Sequence, residues 1–224
     1  MRNLSYIGIV LLLLALAVSC KKQNADPVEM GYRYFPVNIG HWVIYDVDSI
    51  SYNDFTGTVD SFNFQIKELV QSDFVDNQGR PSQRLERYVR YADTAAWVIR
   101  DVWYETRTVS CAERVEENVR QVKLIFPARE SLQWNANTYN TLGEQLVQYE
   151  AVHTTGTVNN ILLDSTLTVL QKSVYTLISE DFQKEMYAAG IGLVYKKYVS
   201  LVKDPVGTIT SGIDYSYTLQ AYGN

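Results

Sequence analysis

The sequence predicts a mainly β protein: a single antiparallel domain of about nine to eleven strands, either a curved half-barrel or a two-layer sandwich, with one or two short helices at most. Three observations predict it. Apolar and polar residues alternate with period two in stretches that turn chemistry interrupts roughly every dozen residues. Beyond the first twenty residues no helix-length window carries a 3.6-residue apolar period. Seventeen tyrosines and four tryptophans among 224 residues suit a pleated, half-buried surface.

The chain opens with Arg2 and then a charge-free apolar run from Leu4 to Val18 that ends in Ala17-Val18-Ser19-Cys20. A run this short lies below the roughly 20 residues of a comfortable transmembrane helix and has the length and flanks of a signal-peptide core. The closing four residues resemble the lipobox of bacterial lipoproteins, with Ala17 where that family prefers leucine. The resemblance implies that residues 1–19 are removed and that Cys20 becomes the acylated N-terminus, anchoring the protein to a membrane. Ordinary signal cleavage and an uncleaved anchor are the alternatives. Residues 20–31 are polar, with Pro27 and Gly31, and read as a lipidated flexible tether. The β domain occupies residues 32–224.

Within the domain, Pro36 and Gly40 bracket a turn, and a strand begins at Trp42 with apolar residues on both faces before Asp46 and Asp48 expose one of them. Asn53-Asp54-Phe55-Thr56-Gly57 turns the chain. Residues 59–70 alternate through Phe62, Phe64 and Ile66, and residues 85–91 set Leu85, Arg87 and Val89 on one face. Residues 97–107 place Trp97, Ile99 and Trp103 together, which reads as core. Residues 112–119 form the weakest strand, and the Val115/Val119 spacing also fits a helical turn. Residues 121–126 return to strand, and residues 131–140 read as an Asn-rich loop containing Trp134 and Tyr139. Strand patterns then cover residues 145–153, 160–172, 174–180, 184–188, 193–202 and 213–222, with Phe182 and Met186 the other helical-looking pair.

Composition narrows the function. The formal net charge is −5, and loss of Arg2 makes the mature chain one unit more acidic, so it lacks the basic footprint that nucleic acid requires. Two cysteines, Cys20 and Cys111, leave Cys111 without a partner once Cys20 is acylated, and it reads as a buried small residue. His41 and His153 have no ligand-spaced Cys, His or carboxylate, so no metal site is expected. No nucleophile elbow is present, and Gly190-Ile191-Gly192 fits a hairpin turn better than a phosphate loop. Asp46 with Asp48, and Glu116 with Glu117, read as solvated pairs. The best ligand-contact candidates are Trp134, Asn135, Asn137 and Tyr139, because a loop tryptophan beside amides suits flat polar ligands.

Two stretches together resemble a group of Gram-negative envelope lipoproteins without assigned chemistry. Tyr34-Phe35-Pro36-Val37 with Gly40-His41-Trp42-Val43-Ile44-Tyr45 is similar to their F-P-L and G-x-x-W-x-Y opening, with Val37 for leucine and a shorter Gly–Trp spacing. Tyr187-Ala188-Ala189-Gly190-Ile191-Gly192-Leu193-Val194 is similar to their Y-A-x-G-V-G-L-V hairpin. The resemblance implies a β-rich fold like the half-barrel of periplasmic lipoprotein carriers and transfers no catalytic residue. The expected function is non-enzymatic and without cofactor: a lipoprotein of the outer membrane, facing the periplasm, that binds a protein partner or apolar ligand on an aromatic β surface. A glycan-contacting surface lipoprotein and an envelope hydrolase are the alternatives.

Overall fold

The computed structural model describes residues 28–224. The signal segment, Cys20 and most of the tether lie outside the described residues. Among those described, the chain forms a 3-10 turn, Tyr32–Tyr34, and twelve strands: β1 (Trp42–Tyr52), β2 (Val59–Val75), β3 (Pro81–Arg90), β4 (Val98–Arg107), β5 (Cys111–Glu116), β6 (Val119–Ile125), β7 (Gln133–Asn135), β8 (Leu146–Val158), β9 (Ile161–Tyr175), β10 (Ser179–Ala188), β11 (Gly192–Lys203) and β12 (Ile209–Gly223). All twelve join one antiparallel sheet in the order β6-β5-β4-β3-β2-β1-β12-β11-β10-β9-β8-β7. Neighbours in sequence pair as hairpins except β6 and β7, which form the two edges, and β12 returns to pair with β1.

A twisted sheet of this width curls, and here the curl brings the edges together. The Val122 N–H on β6 donates to the Ala136 carbonyl at 2.9 Å, just past β7. The Trp134 indole N–H donates to the Val122 carbonyl at 2.9 Å, and the Asn140 amide donates to the Arg120 carbonyl at 2.7 Å. The Tyr149 hydroxyl donates to the Ile125 carbonyl at 2.8 Å and accepts from the Ile125 N–H at 2.9 Å. An open edge would invite pairing with another chain. Side chains and a loop occupy this one instead, and the sheet becomes a nearly closed barrel.

The expected sandwich is therefore corrected to a single curled sheet, and the expected nine to eleven strands to twelve. Three local differences account for the count. The stretch with the Val115/Val119 spacing is a hairpin, because Glu117 and Asn118 both take positive φ (47° and 65°) and reverse the chain in two residues. Trp134 sits in the three-residue β7 rather than in a loop. Phe182 and Met186 lie in β10, whose turn with β9 falls near residue 177 instead of at 181–183.

Alternation places one face of every strand inside. In β1 that face is Val43, Tyr45 and Val47, and in β3 it is Leu85, Arg87 and Val89. At the end where Met30 and the 3-10 turn meet the body the interior is packed: Tyr45, Ile66, Tyr149, Leu167, Tyr187, Val194 and Leu219 are almost fully buried. Burial of each such side chain contributes about 1.5–3 kcal/mol, which holds this end shut. Tyr34 and Phe35 plug it, and Arg107 donates to the Phe35 carbonyl at 2.8 Å. Met30 and Gly31 already touch this plug, since Ala128 donates to the Met30 carbonyl and its Cβ faces Gly31. The β10–β11 turn sits beside the plug, with Gly190 and Gly192 at φ 76° and 90° as a tight reversal requires. His41 is locked there between Asn224 and the Ile191 carbonyl.

Candidate functional site

Toward the opposite end the inward side chains become polar and aromatic, and the packing opens. Cross-strand register builds the wall row by row. Phe64, Val47, Tyr217, Lys196 and Glu185 follow one another across β2, β1, β12, β11 and β10. One row further out come Phe62, Ser49, Tyr215, Tyr198 and Gln183. Tyr198 and Tyr215 stack at 5.0 Å and 11°, and Tyr215 leans on Tyr217 at 5.8 Å.

The charges inside form two linked groups. On the β2–β5 wall, Arg87 donates to Glu68 at 3.0 Å, to Asp101 at 2.7 Å and to the Tyr217 hydroxyl at 3.2 Å. Its guanidinium also lies 3.6 Å from the centre of the Trp103 ring. Arg114 donates to Glu105 at 2.8 Å and pairs with Glu68 at 3.2 Å. Burial drives the Glu105 carboxyl above its usual range despite Arg114. Across the barrel, Glu185 accepts from Lys123 at 2.8 Å and from the Tyr187 hydroxyl at 2.6 Å. Burial opposes its charge, but Lys123 and Lys196 outweigh that and hold it at about 2.

Lys196 and Glu116 differ from the rest. Among the described residues Lys196 has only Glu185 within ion-pair range, at 3.8 Å, and Glu116 has only Lys123, at 3.9 Å. Neither makes a side-chain hydrogen bond to the described residues, so both keep hydrogen-bonding capacity to spare. Burial opposes charge at both, and their oppositely charged neighbours more than offset it: Lys196 is pushed upward and Glu116 downward. Both therefore stay ionised.

These two residues and Tyr215 stand where two cavities meet. The larger, about 350 Å³, is walled by Phe64, Arg87, Trp103, Tyr215, Tyr217 and Asp101, and its lining continues through Ser49, Ile213 and Glu117 toward the end that carries the β1–β2, β5–β6 and β11–β12 turns. The second, about 200 Å³, continues past Lys123, Glu185, Gln183, Gln145 and Tyr198. Half-buried aromatic rings supply flat contact, while cations and carboxylates in near balance supply donors and acceptors. That combination suits a neutral, hydroxyl-bearing ring better than an aliphatic chain.

The sequence-derived candidates fall elsewhere. Trp134 is 8 % exposed, packed on Tyr149 at 4.7 Å, and acts in barrel closure. Asn135 accepts from the N–H groups of Asn137 and Gln145, and Asn137 donates to the Gly143 carbonyl, so both shape the turn after β7. Tyr139 is exposed on that turn. The structure thus places the four near one another at the seam, outside the cleft lining. Asp46 and Asp48 lie on the outer face with Gln65 and Asn63. Cys111 is buried beside Thr108 and Glu113, and burial raises its thiol pKa. His153, at φ 59°, binds the Tyr34 hydroxyl at 2.7 Å near the closed end.

Sequence reading singled out none of Arg87, Glu185, Lys196, Tyr215 and Tyr217 as site residues, and took Glu116 as part of a solvated pair. The available signal was polar residues at inward positions: Arg87 between Leu85 and Val89, and Lys196 two residues beyond Val194. Trp103, expected in the core, is a half-buried wall of the cleft. Comparison with protein-family models, curated proteins and solved structures gives no match.

Proposed function

We propose that this protein is a non-enzymatic binding protein of the cell envelope, anchored through acylated Cys20, that takes a glycan into the open end of its barrel. One observation carries the reading: Lys196 and Glu116 hold unspent hydrogen-bonding groups inside an aromatic cleft of about 350 Å³. Sugar rings present an apolar face to tyrosine or tryptophan and hydroxyls to charged groups, and this lining meets both demands. The charged walls favour such a ligand over the apolar one, because burying these ion pairs against hydrocarbon would strand them without solvent. The seam residues Trp134, Asn135 and Asn137 serve closure in this reading.

Titration of the intrinsic tryptophan fluorescence with chitotetraose, maltotetraose and soluble peptidoglycan fragments tests it. Saturable change with at least one of them, weakened tenfold or more by Trp103→Ala and by Lys196→Met, is expected. No response to any of the panel from the folded protein would overturn the glycan reading.

A further inference from the structure

The end that opens the cleft also carries the most exposed apolar side chains among the described residues. Phe55 is 98 % exposed, Leu177 87 % and Val206 87 %, with Ile178, Val59 and Tyr175 exposed beside them. Phe55 sits in the β1–β2 turn, Val206 in the β11–β12 turn and Leu177 in the β9–β10 turn. Register brings these turns to one height: Tyr52 pairs with Gly212, Gly212 with Leu201, Leu201 with Glu180, and Glu180 with Tyr175. The turns therefore follow one another along the rim, each two strands from the next, or about 10 Å at the strand spacing. On the facing arc the tips themselves are polar, Asp93 and Thr94 after β3 and Glu117 and Asn118 after β5, although Tyr91 and Val98 are exposed at the base of the β3–β4 turn.

Turn tips ordinarily carry polar residues, and three successive tips here each present a highly exposed apolar one. We propose that this arc of the rim inserts shallowly into the bilayer that carries the protein's own lipid anchor; the proposal rests on the reading of Cys20 as acylated. Two quantities select a bilayer. Protruding side chains at three separated tips offer well under the roughly 800 Å² per partner of a stable protein interface, and polar turn residues stand between them. A bilayer takes up isolated apolar side chains without a matching surface, and shallow insertion suffices beside a covalent anchor.

The second quantity is reach. The chain joins the body at Met30, by the closed end, and β1 spans about 35 Å from there to the tips at the rise of a strand. Residues 20–30 extend at most about 35 Å. The barrel can thus lie along the membrane with both ends near it and the polar β5–β6 tip and cleft mouth turned outward. Asp54 and Asp204 flank the tips, and neither the 53–58 nor the 204–208 turn carries Lys or Arg, so apolar insertion drives the contact.

The test uses the full-length lipidated chain in phosphatidylcholine vesicles containing brominated acyl chains. An environment-sensitive dye is placed at Val206→Cys, at Leu177→Cys or, as control, at Asp93→Cys, in a Cys111→Ser background. Flotation reports the anchor, and dye quenching reports the tips. Co-flotation with at least threefold stronger quenching at Val206→Cys and Leu177→Cys than at Asp93→Cys is the expected result. Co-flotation with equal, weak quenching at all three overturns the docking and leaves the anchor standing. Failure to float overturns the anchor and the docking with it. Shielding of the tip dyes that rises with protein concentration in detergent, without quenching in vesicles, assigns the tips to a second copy and also overturns it.

Discussion

The guanidinium of Arg87 lies 3.6 Å from the centre of the Trp103 ring while its nitrogens are committed to Glu68, Asp101 and Tyr217. One residue of β3 thus joins the β2–β4 wall to β12 on the other side of the cleft. Only a planar, many-donor group can stack and bond in three directions at once.

Arg87→Ala is expected to destabilise the fold by up to about 3–5 kcal/mol, because it leaves the buried Glu68 carboxylate with Arg114 as its one remaining cation among the described residues and empties the contact on Trp103. Arg87→Lys keeps the charge and loses the fork, and a smaller but clear loss follows. Urea denaturation of both variants checks this. Equal stability of Arg87→Ala and the parent would show that the group is not buried as described.

Trp134 distinguishes closure from ligand binding. Trp134→Ala removes a buried indole and is expected to cost about 3–5 kcal/mol. Trp134→Phe keeps much of the packing and leaves the Val122 carbonyl without its donor, at about 1 kcal/mol or somewhat more. Glycan affinity of the Trp134→Phe protein should equal that of the parent, measured by the same fluorescence titration with Trp103 as the reporter.

Much of this barrel was legible in the residues themselves. Leu85, Arg87 and Val89 alternate against charged neighbours, and the structure buries those three. What alternation could not supply is which distant strands meet. The Lys123–Glu185 pair joins β6 to β10 across the interior, 62 positions apart in sequence, and no local pattern encodes it. The β5–β6 turn was also hidden, because Glu117 at positive φ lacks the Asn-Gly signature. Trp103 misled for a related reason. A register shift between Arg87 and Tyr88 against β4 changes the alternation there, so Ile99 is exposed while Trp103 faces the cleft.

Gly212 fixes the height of the rim. Its φ is 122°, and a Cβ there would sit 2.1 Å from the Ser200 carbonyl oxygen. Gly212→Ala therefore adds a backbone clash to a conformation that itself costs about 1–3 kcal/mol for a non-glycine residue. Gly207→Ala, at φ 91° with nothing near the new Cβ, carries the conformational cost alone. Thermal unfolding should show the larger loss for Gly212→Ala, and the reverse order would contradict the close β11–β12 approach.

Acid should unfold this protein through its interior carboxylates. Glu185 titrates at about 2 in the folded state, against roughly 4.3 for an unfolded glutamate. The unfolded chain therefore binds the proton first as pH falls. The stabilisation is fully present above about pH 4.3 and disappears as pH drops toward 2, up to roughly 3 kcal/mol in all. Asp76, held at about 2 by hydrogen bonds from Arg80 and the Gln78 backbone, acts in the same direction. Glu105 works the other way: its raised folded pKa makes the native state take up a proton more readily, which offsets part of the loss. Urea midpoints should stay level from pH 7 to 5 and fall steeply below 4. Glu185→Gln should be less stable at pH 7, since Lys123 and Lys196 lose their counter-charge, and should fall less steeply in acid. An unchanged acid slope in that variant would remove Glu185 as the main source of the pH dependence.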